Sequence, residues 1–321
     1  MWRTEAGRVV RGRERGPGPR RAVGARRPLG VAGSGRSARG GRLGAVGPRR
    51  SARGRSACGG RLGGVGSAAY DRRMSIRWTY AFVDRPAARF ARALEFWTAV
   101  TDTRLSELRG DEGEFTTLLP VGADPCVKAQ AVGPGDGGAH LDLVGEDVRG
   151  VMAAAVRLGA VIVADHGEWA VLRSPGGQLF CAVPWGGESV RPPVVRGSRL
   201  DQVCLDVPPS AFAAEVAFWG GLLDGWESRP GSRPEFHVLT PPPGLPIRIL
   251  LQRLDGERPA DAHLDLACAD IAATRADHER LGATHVADHP HWTVLRDPAG
   301  GLYCLTGRDP ETGGLPAAGR G

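Results

Sequence analysis

The segment Ala139-His140-Leu141-Asp142-Leu143 recurs as Ala262-His263-Leu264-Asp265-Leu266, and this internal duplication constrains the chain more than any other feature. His140 and His263 stand 123 positions apart. The same interval relates Leu158-Gly159-Ala160 to Leu281-Gly282-Ala283, Trp169 to Trp292, and Cys181 to Cys304. Upstream the interval is 122, so that Asp84 matches Asp206, Phe96-Trp97 matches Phe218-Trp219, and Gln130 matches Gln252. A one-residue indel therefore separates the two parts of each copy. Such a unit is too long for one turn of a solenoid, which predicts two homologous domains in tandem. A length of 321 residues gives the same count on size alone.

The formal charge of +7 suggests a nucleic-acid partner until its distribution is considered. Residues 1–73 hold 19 arginines against Glu5, Glu14 and Asp71, so the remainder is net acidic. An acidic surface repels phosphate, and no nucleic-acid partner is expected of the folded part. Residues 1–73 are rich in Arg, Gly, Ala and Ser and too poor in large apolar groups to offset the entropy of ordering, so the expectation is a disordered tail. They lack the apolar stretch of a signal peptide. An arginine-rich nucleic-acid arm and a targeting segment are less consistent with this tail than a reading frame opened too early, with Met74 directly before the first patterned strand. No run of about 18 apolar residues is present to span a bilayer. Six cysteines without a Cys-x-x-Cys pair read as reduced, packed thiols, and the expected location is cytoplasmic.

Each copy follows one plan. Trp78–Asp84 has strand composition, Pro86 opens a helix, and Phe90, Leu94 and Trp97 mark an apolar stripe at helical spacing. Short strands follow, ending in Pro125–Val132. The His-x-Asp strand comes next, then a helix with Asp147 as N-cap and Gly159 just past its end, then strands at Val161–Ala164, Trp169–Arg173 and Leu179–Val183. The second copy repeats this with Asp270 and Gly282 at the helix boundaries. Each domain is thus two βαβββ modules, an α+β plan with helices on one face of mainly antiparallel sheet. The expected divisions are a tail at 1–73, a first domain at 74–187, a linker at 188–196, a second domain at 197–308 and a disordered C-terminal tail at 309–321.

The Phe-Trp pair late in the first helix, Gln130 or Gln252 ending a strand, His-Leu-Asp-Leu, Leu-Gly-Ala, and the closing Trp-x-Val-Leu-Arg-x-Pro of the second copy recur in this order. The whole resembles the vicinal oxygen chelate superfamily, the glyoxalase, bleomycin-resistance and extradiol-dioxygenase group, and within it tandem glyoxalase-like domain proteins. The resemblance implies that the modules of each domain enclose a cleft. It also implies four positions that carry metal ligands in metal-using members. Here those positions hold Tyr80, Gln130, His140 and Cys181 in the first domain and Gln202, Gln252, His263 and Cys304 in the second. The family's usual His or Gln, Glu, His and Glu keeps only its second histidine in both domains, so no catalytic metal is expected.

Strand periodicity puts His140 and Asp142 on one face, with Leu141 and Leu143 on the other. The pair either forms a satisfied structural contact, with Asp142 accepting from a backbone or Trp N–H, or lines the cleft as an imidazole tuned by a carboxylate. The candidate ligand-binding residues are His140, Asp142, Gln130 and Trp169 in the first domain. In the second they are His263, Asp265, Gln252, Gln202 and Trp292. The expected function is binding of a small organic molecule, with no membrane partner and with the two domains paired as a covalent pseudo-dimer. The alternative is a metal-dependent lyase, isomerase or dioxygenase using the His-x-Asp strand.

Overall fold

A computed structural model of the chain describes residues 76–315. The N-terminal tail reading lies outside the described residues. The first half runs β1 (Ile76–Pro86), α1 (Phe90–Thr101), β2 (Arg104–Leu105), β3 (Phe115–Leu119), β4 (Val127–Val132), β5 (Gly138–Gly145), α2 (Val148–Arg157), β6 (Val161–Asp165), β7 (Ala170–Arg173) and β8 (Leu179–Pro184). The second runs β9 (Ser198–Val207), α3 (Phe212–Leu222), β10 (Glu227–Pro230), β11 (Phe236–Thr240), β12 (Arg248–Arg253), β13 (Asp261–Cys268), α4 (Ile271–Arg280), β14 (Thr284–Asp288), β15 (Trp292–Arg296) and β16 (Leu302–Thr306).

Each half is one eight-stranded sheet in the order β2-β3-β4-β1-β5-β8-β7-β6, repeated as β10-β11-β12-β9-β13-β16-β15-β14. The two modules join where β1 pairs antiparallel with β5, and β9 with β13. Within a module the first and last strands are parallel neighbours, and the remaining pairs are antiparallel. The expected α+β plan of paired βαβββ modules is therefore the observed one. Local chemistry explains the boundaries: Asp147 accepts from the N–H of Gly150 at 2.8 Å, and Asp270 from that of Ala273 at 3.0 Å. Gly159 and Gly282 follow their helices at φ of 101° and 97°, the left-handed conformation that glycine adopts without a Cβ penalty.

The helices do not serve only their own half. Phe96 and Trp97 of α1 pack on Tyr303 of β16, with ring centroids 5.7 and 5.2 Å apart, and Phe96 also meets His278 of α4. Conversely, Phe180 of β8 packs on Phe218 and Trp219 of α3 at 5.9 and 5.1 Å. Arg85 and Asp297 form a buried ion pair across the same boundary at 2.7 Å. Asp297 also accepts from the Trp97 indole N–H at 3.0 Å. Gly301 permits this approach, since a Cβ there would collide with the Arg85 guanidinium.

The chain outside the sheets is also held. Glu188, in the stretch read as a linker, accepts from the Tyr80 hydroxyl at 2.7 Å, and Asp124 accepts from the N–H groups of Ser189 and Val190. Residues 309–315, expected to begin a disordered tail, instead form a turn. Asp309 accepts from the N–H groups of Glu311 and Thr312, and the carbonyl of Gly313 accepts from Arg248 at 3.1 Å. Guanidinium groups from the sheet supply partners that a Gly- and Pro-rich stretch does not advertise.

Burial pushes the His278 pKa down to about 4, with Arg196 adding to the effect, so the imidazole is neutral near pH 7 beside the Tyr303 hydroxyl. A folded pKa below the ordinary 6.5 gives stability that is complete above pH 6.5 and is lost as pH falls toward 4. Relative to a His278→Gln chain, the wild type should lose about 3 kcal/mol more between pH 7 and pH 4 in urea unfolding. Identical pH slopes would show that His278 carries no such linkage.

Candidate functional site

The register of the central strands decides which side chains meet. Lys128 of β4, Phe82 of β1 and His140 of β5 form one row across three strands. In the next rows Gln130 lies opposite Asp84, and Tyr80 and Cys181 flank Asp142 from either side. Alternation places Phe82 and Asp84 on the cavity face of β1, while Ala81, Val83 and Arg85 turn the other way. The resulting cavity of about 900 Å³ is mostly apolar and is bordered by His140, Asp142, Gln130, Trp169 and Cys181. Ala260 and Asp261 reach its wall from the second half.

All four first-domain candidates thus come together, but their partners differ from the sequence reading. His140 Nδ1 lies 2.6 Å from Asp84 Oδ2, whereas Asp142 Oδ1 is 3.9 Å from Nε2. Asp84, diagonal to His140 across the β1–β5 pair, is the close carboxylate. Asp142 accepts from the Lys128 ammonium at 2.9 Å rather than from a backbone or Trp N–H. Phe82 stacks on the His140 ring at 4.0 Å, and Trp169 stacks on His166 at 4.0 Å. Burial alone would lower the His140 pKa, but Asp84 and then Asp142 hold it above the usual value. Burial also pushes the Cys181 thiol up, which keeps it protonated at neutral pH.

The second half forms a cavity of about 610 Å³ bordered by Gln202, Gln252, His263, Asp265, Trp292 and Cys304. Its five candidates are therefore also together. His263 sits between Asp206 and Asp265, at 3.4 Å from each. Burial opposes its protonation, yet the flanking carboxylates of Asp206 and Asp265 hold its pKa above the ordinary value. Gln202 Nε2 donates to Asp265, and the Cys204 thiol donates to Gln252 at 3.6 Å. Trp292 stacks on His289 at 4.4 Å and meets Phe236 edge-on. Arg229, Arg233, Arg248, Arg308 and His291 also border this cavity. Burial, helped by neighbouring Arg308, pushes the Arg248 pKa down to about 10.

Sequence reasoning missed Asp84 and Asp206 as site residues, although the repeat had paired them. It also missed Lys128 and Arg248. Their signal is weak: aligning the copies at the 122-residue interval sets Lys128 against Leu250, a difference whose meaning depends on the strand register.

The two halves meet the question of a metal differently. His140, Asp142 and Cys181 in one, and His263, Asp265 and Cys304 in the other, each offer three ligand atoms within 4.8 Å of one another. In the first set the Lys128 ammonium lies 2.9 Å from Asp142 Oδ2, so a divalent ion there would compete with it for the carboxylate. In the second no lysine intervenes, Asp265 Oδ1 accepts no hydrogen bond, and an N/O/S donor set fits a borderline ion such as Zn²⁺. Cys304, pushed up to about 11 by burial, would have to release its proton on binding.

A sheet of two βαβββ modules enclosing a cavity between them, present twice in one chain, defines the vicinal oxygen chelate class. The profile described as glyoxalase-like domain matches at residues 80–183 and again at 202–306. The chain belongs to the glyoxalase-like domain family. Among structures, it is similar to the Mn(II)-bound glyoxalase from Novosphingobium aromaticivorans, at 14% identity and a TM-score of 0.52, covering 74% of this chain and 87% of that one. It is also similar to 2,2',3-trihydroxybiphenyl 1,2-dioxygenase from Sphingomonas wittichii strain RW1, at 14% identity and a TM-score of 0.50, covering 72% and 90%. At such identity the likeness is one of fold. No curated protein matches the chain in sequence. Among the described residues, no helix is long and apolar enough to cross a membrane.

Replacing Asp84 by Asn removes the carboxylate that holds the His140 proton. The His140 pKa, followed by NMR of the imidazole C–H signals, should fall below its wild-type value and below 6.5, because burial then acts with less opposition. An unchanged titration would mean that Asp84 is not the controlling group.

Proposed function

We propose that the protein binds a small, flat, largely apolar organic molecule in each half and does so without a catalytic metal. The observation that carries this reading is the pair of large, mostly apolar cavities, each with a tryptophan at its edge and a few convergent polar groups on its floor. Trp169 is 36% exposed, unusually open for so large an apolar ring, and an aromatic ligand could cover it. In the second half Arg229, Arg233 and Arg248 add positive charge, and the Arg248 Nε is buried without a hydrogen-bond partner. That cavity is suited to a ligand with a carboxylate or similar anionic group. Titration with 2-naphthoate should quench tryptophan fluorescence saturably, with part of the quench lost in Trp292→Ala and binding weakened about tenfold in Arg248→Met. Neutral naphthalene should not respond to the Arg248 change. Absence of saturable quenching by either probe would remove the binding reading.

A second reading concerns the second half alone. His263, Asp265 and Cys304 would hold a divalent ion, which would supply Lewis-acid polarisation of a bound oxygen. The orphaned Asp265 oxygen supports this. Around such an ion Asp206, 3.4 Å from His263 Nδ1, would accept the Nδ1–H of a neutral imidazole and leave Nε2 to hold the ion, and Trp292 would wall the cavity against water. Elemental analysis of protein purified without a His tag decides between the readings. A stoichiometric metal that is lost in Cys304→Ser favours the second, and metal-free protein that still quenches with naphthoate favours the first.

A further inference from the structure

Lys128 is placed where a free surface lysine would not be. Its β4 position pairs with Phe82 of β1, and its ammonium lies 2.9 Å from Asp142 Oδ2 and 3.8 Å from the centroid of the Tyr80 ring. The Phe82 ring is 5.5 Å away, and the lysine side chain is only 20% exposed. A carboxylate on one side and aromatic faces on the other form a small cation cage. Asp142 belongs to the floor of the cavity, is 2% exposed, and its Oδ1 accepts no hydrogen bond. Asp84 Oδ1 is likewise buried without a partner. Two carboxylates and a histidine thus face a region of low dielectric in which Lys128 is the closest positive group to Asp142.

We propose that Lys128 is a tethered cation that takes the role of a divalent ion in the first cavity. By engaging Asp142 it neutralises the floor and prevents His140, Asp142 and Cys181 from gathering a metal. The duplication supplies an internal comparison. In the second half the same register position is Leu250, opposite Cys204, which is itself opposite His263, and the matching carboxylate Asp265 faces no lysine. The two sites also differ at Tyr80 against Gln202 and Phe82 against Cys204, but Lys128 against Leu250 is the difference that sets an ammonium against the carboxylate. The inference concerns the cation of the first cavity and does not depend on which molecule that cavity binds.

The test is Co²⁺ binding to the full chain by equilibrium dialysis, with thermal melting alongside, for the wild type, Lys128→Met and Lys128→Met/Asp142→Asn. Lys128→Met should bind one Co²⁺ more than the wild type and melt lower without metal. Co²⁺ should restore that melting temperature and leave the wild type unmoved at the first site. A thiolate-to-Co²⁺ absorption band should accompany the extra ion and vanish when Cys181→Ser is added. The double variant should lose the extra site, with at least about tenfold weaker binding. A folded Lys128→Met chain with wild-type stoichiometry overturns the proposal. So does wild-type protein whose Co²⁺ content falls in Cys181→Ser, because Lys128 would then not be excluding the ion. A Lys128→Met chain that stays unfolded with and without Co²⁺ also counts against it, since a bound ion is expected to replace the missing charge.

Discussion

Asp297 is the group on which the arrangement of the two halves turns. Its carboxylate is buried, and all its acceptor capacity is engaged: Oδ1 takes the N–H groups of Ala299 and Gly301, and Oδ2 takes Arg85 Nε and Trp97 Nε1. A buried charge left unpaired is strongly destabilising, so the carboxylate, the guanidinium and the indole must be brought together if the halves are to close on each other. Two of the four donors come from the other half. The opposite contact uses different residues for the same purpose. There Glu215 accepts from Gly176 N–H at 2.5 Å and from its own helix's Trp219 indole at 2.7 Å. The duplicated tryptophan thus keeps an acidic partner in both places, although the acid has moved from the turn to the helix.

That docking has consequences for the sites. Ala260 and Asp261 complete the wall of the first cavity, so its shape depends on the second half being in place. The cavity faces themselves have diverged more than the fold. Tyr80 and Phe82 in β1 are replaced by Gln202 and Cys204 in β9, and Lys128 by Leu250, while the helix caps and the glycine turns are kept. Sheet pairing requires backbone groups and alternating apolar positions, conditions that many side chains satisfy on the open concave face. Changes there alter chemistry without disturbing register.

The repeat, the order of strands and helices and part of the lining of each cleft were legible in the sequence. His140, Asp142, Gln130 and Trp169 do converge, as do Gln202, Gln252, His263, Asp265 and Trp292, because period-two alternation fixes which face of a strand each residue shares. The partners within the clefts were not legible. Asp84 rather than Asp142 lies closest to His140, and Lys128 reaches across a strand to a carboxylate fourteen positions away in sequence. The ordered turn at 309–315 was also missed, since its stabilising donors Arg248 and Arg199 lie far back in the chain.

The sequence by itself determined the duplication, which the chain shows when aligned with itself, and the α+β plan and the faces on which the polar residues stand, which follow from spacing within a few residues. Only the tertiary structure decided which charges neutralise which. That choice depends on the register between strands distant in the chain and on the packing of one half against the other. Both halves pair these strands in the same register, and at separations of about 3 Å that pairing is what brings the Lys128 ammonium to the Asp142 carboxylate.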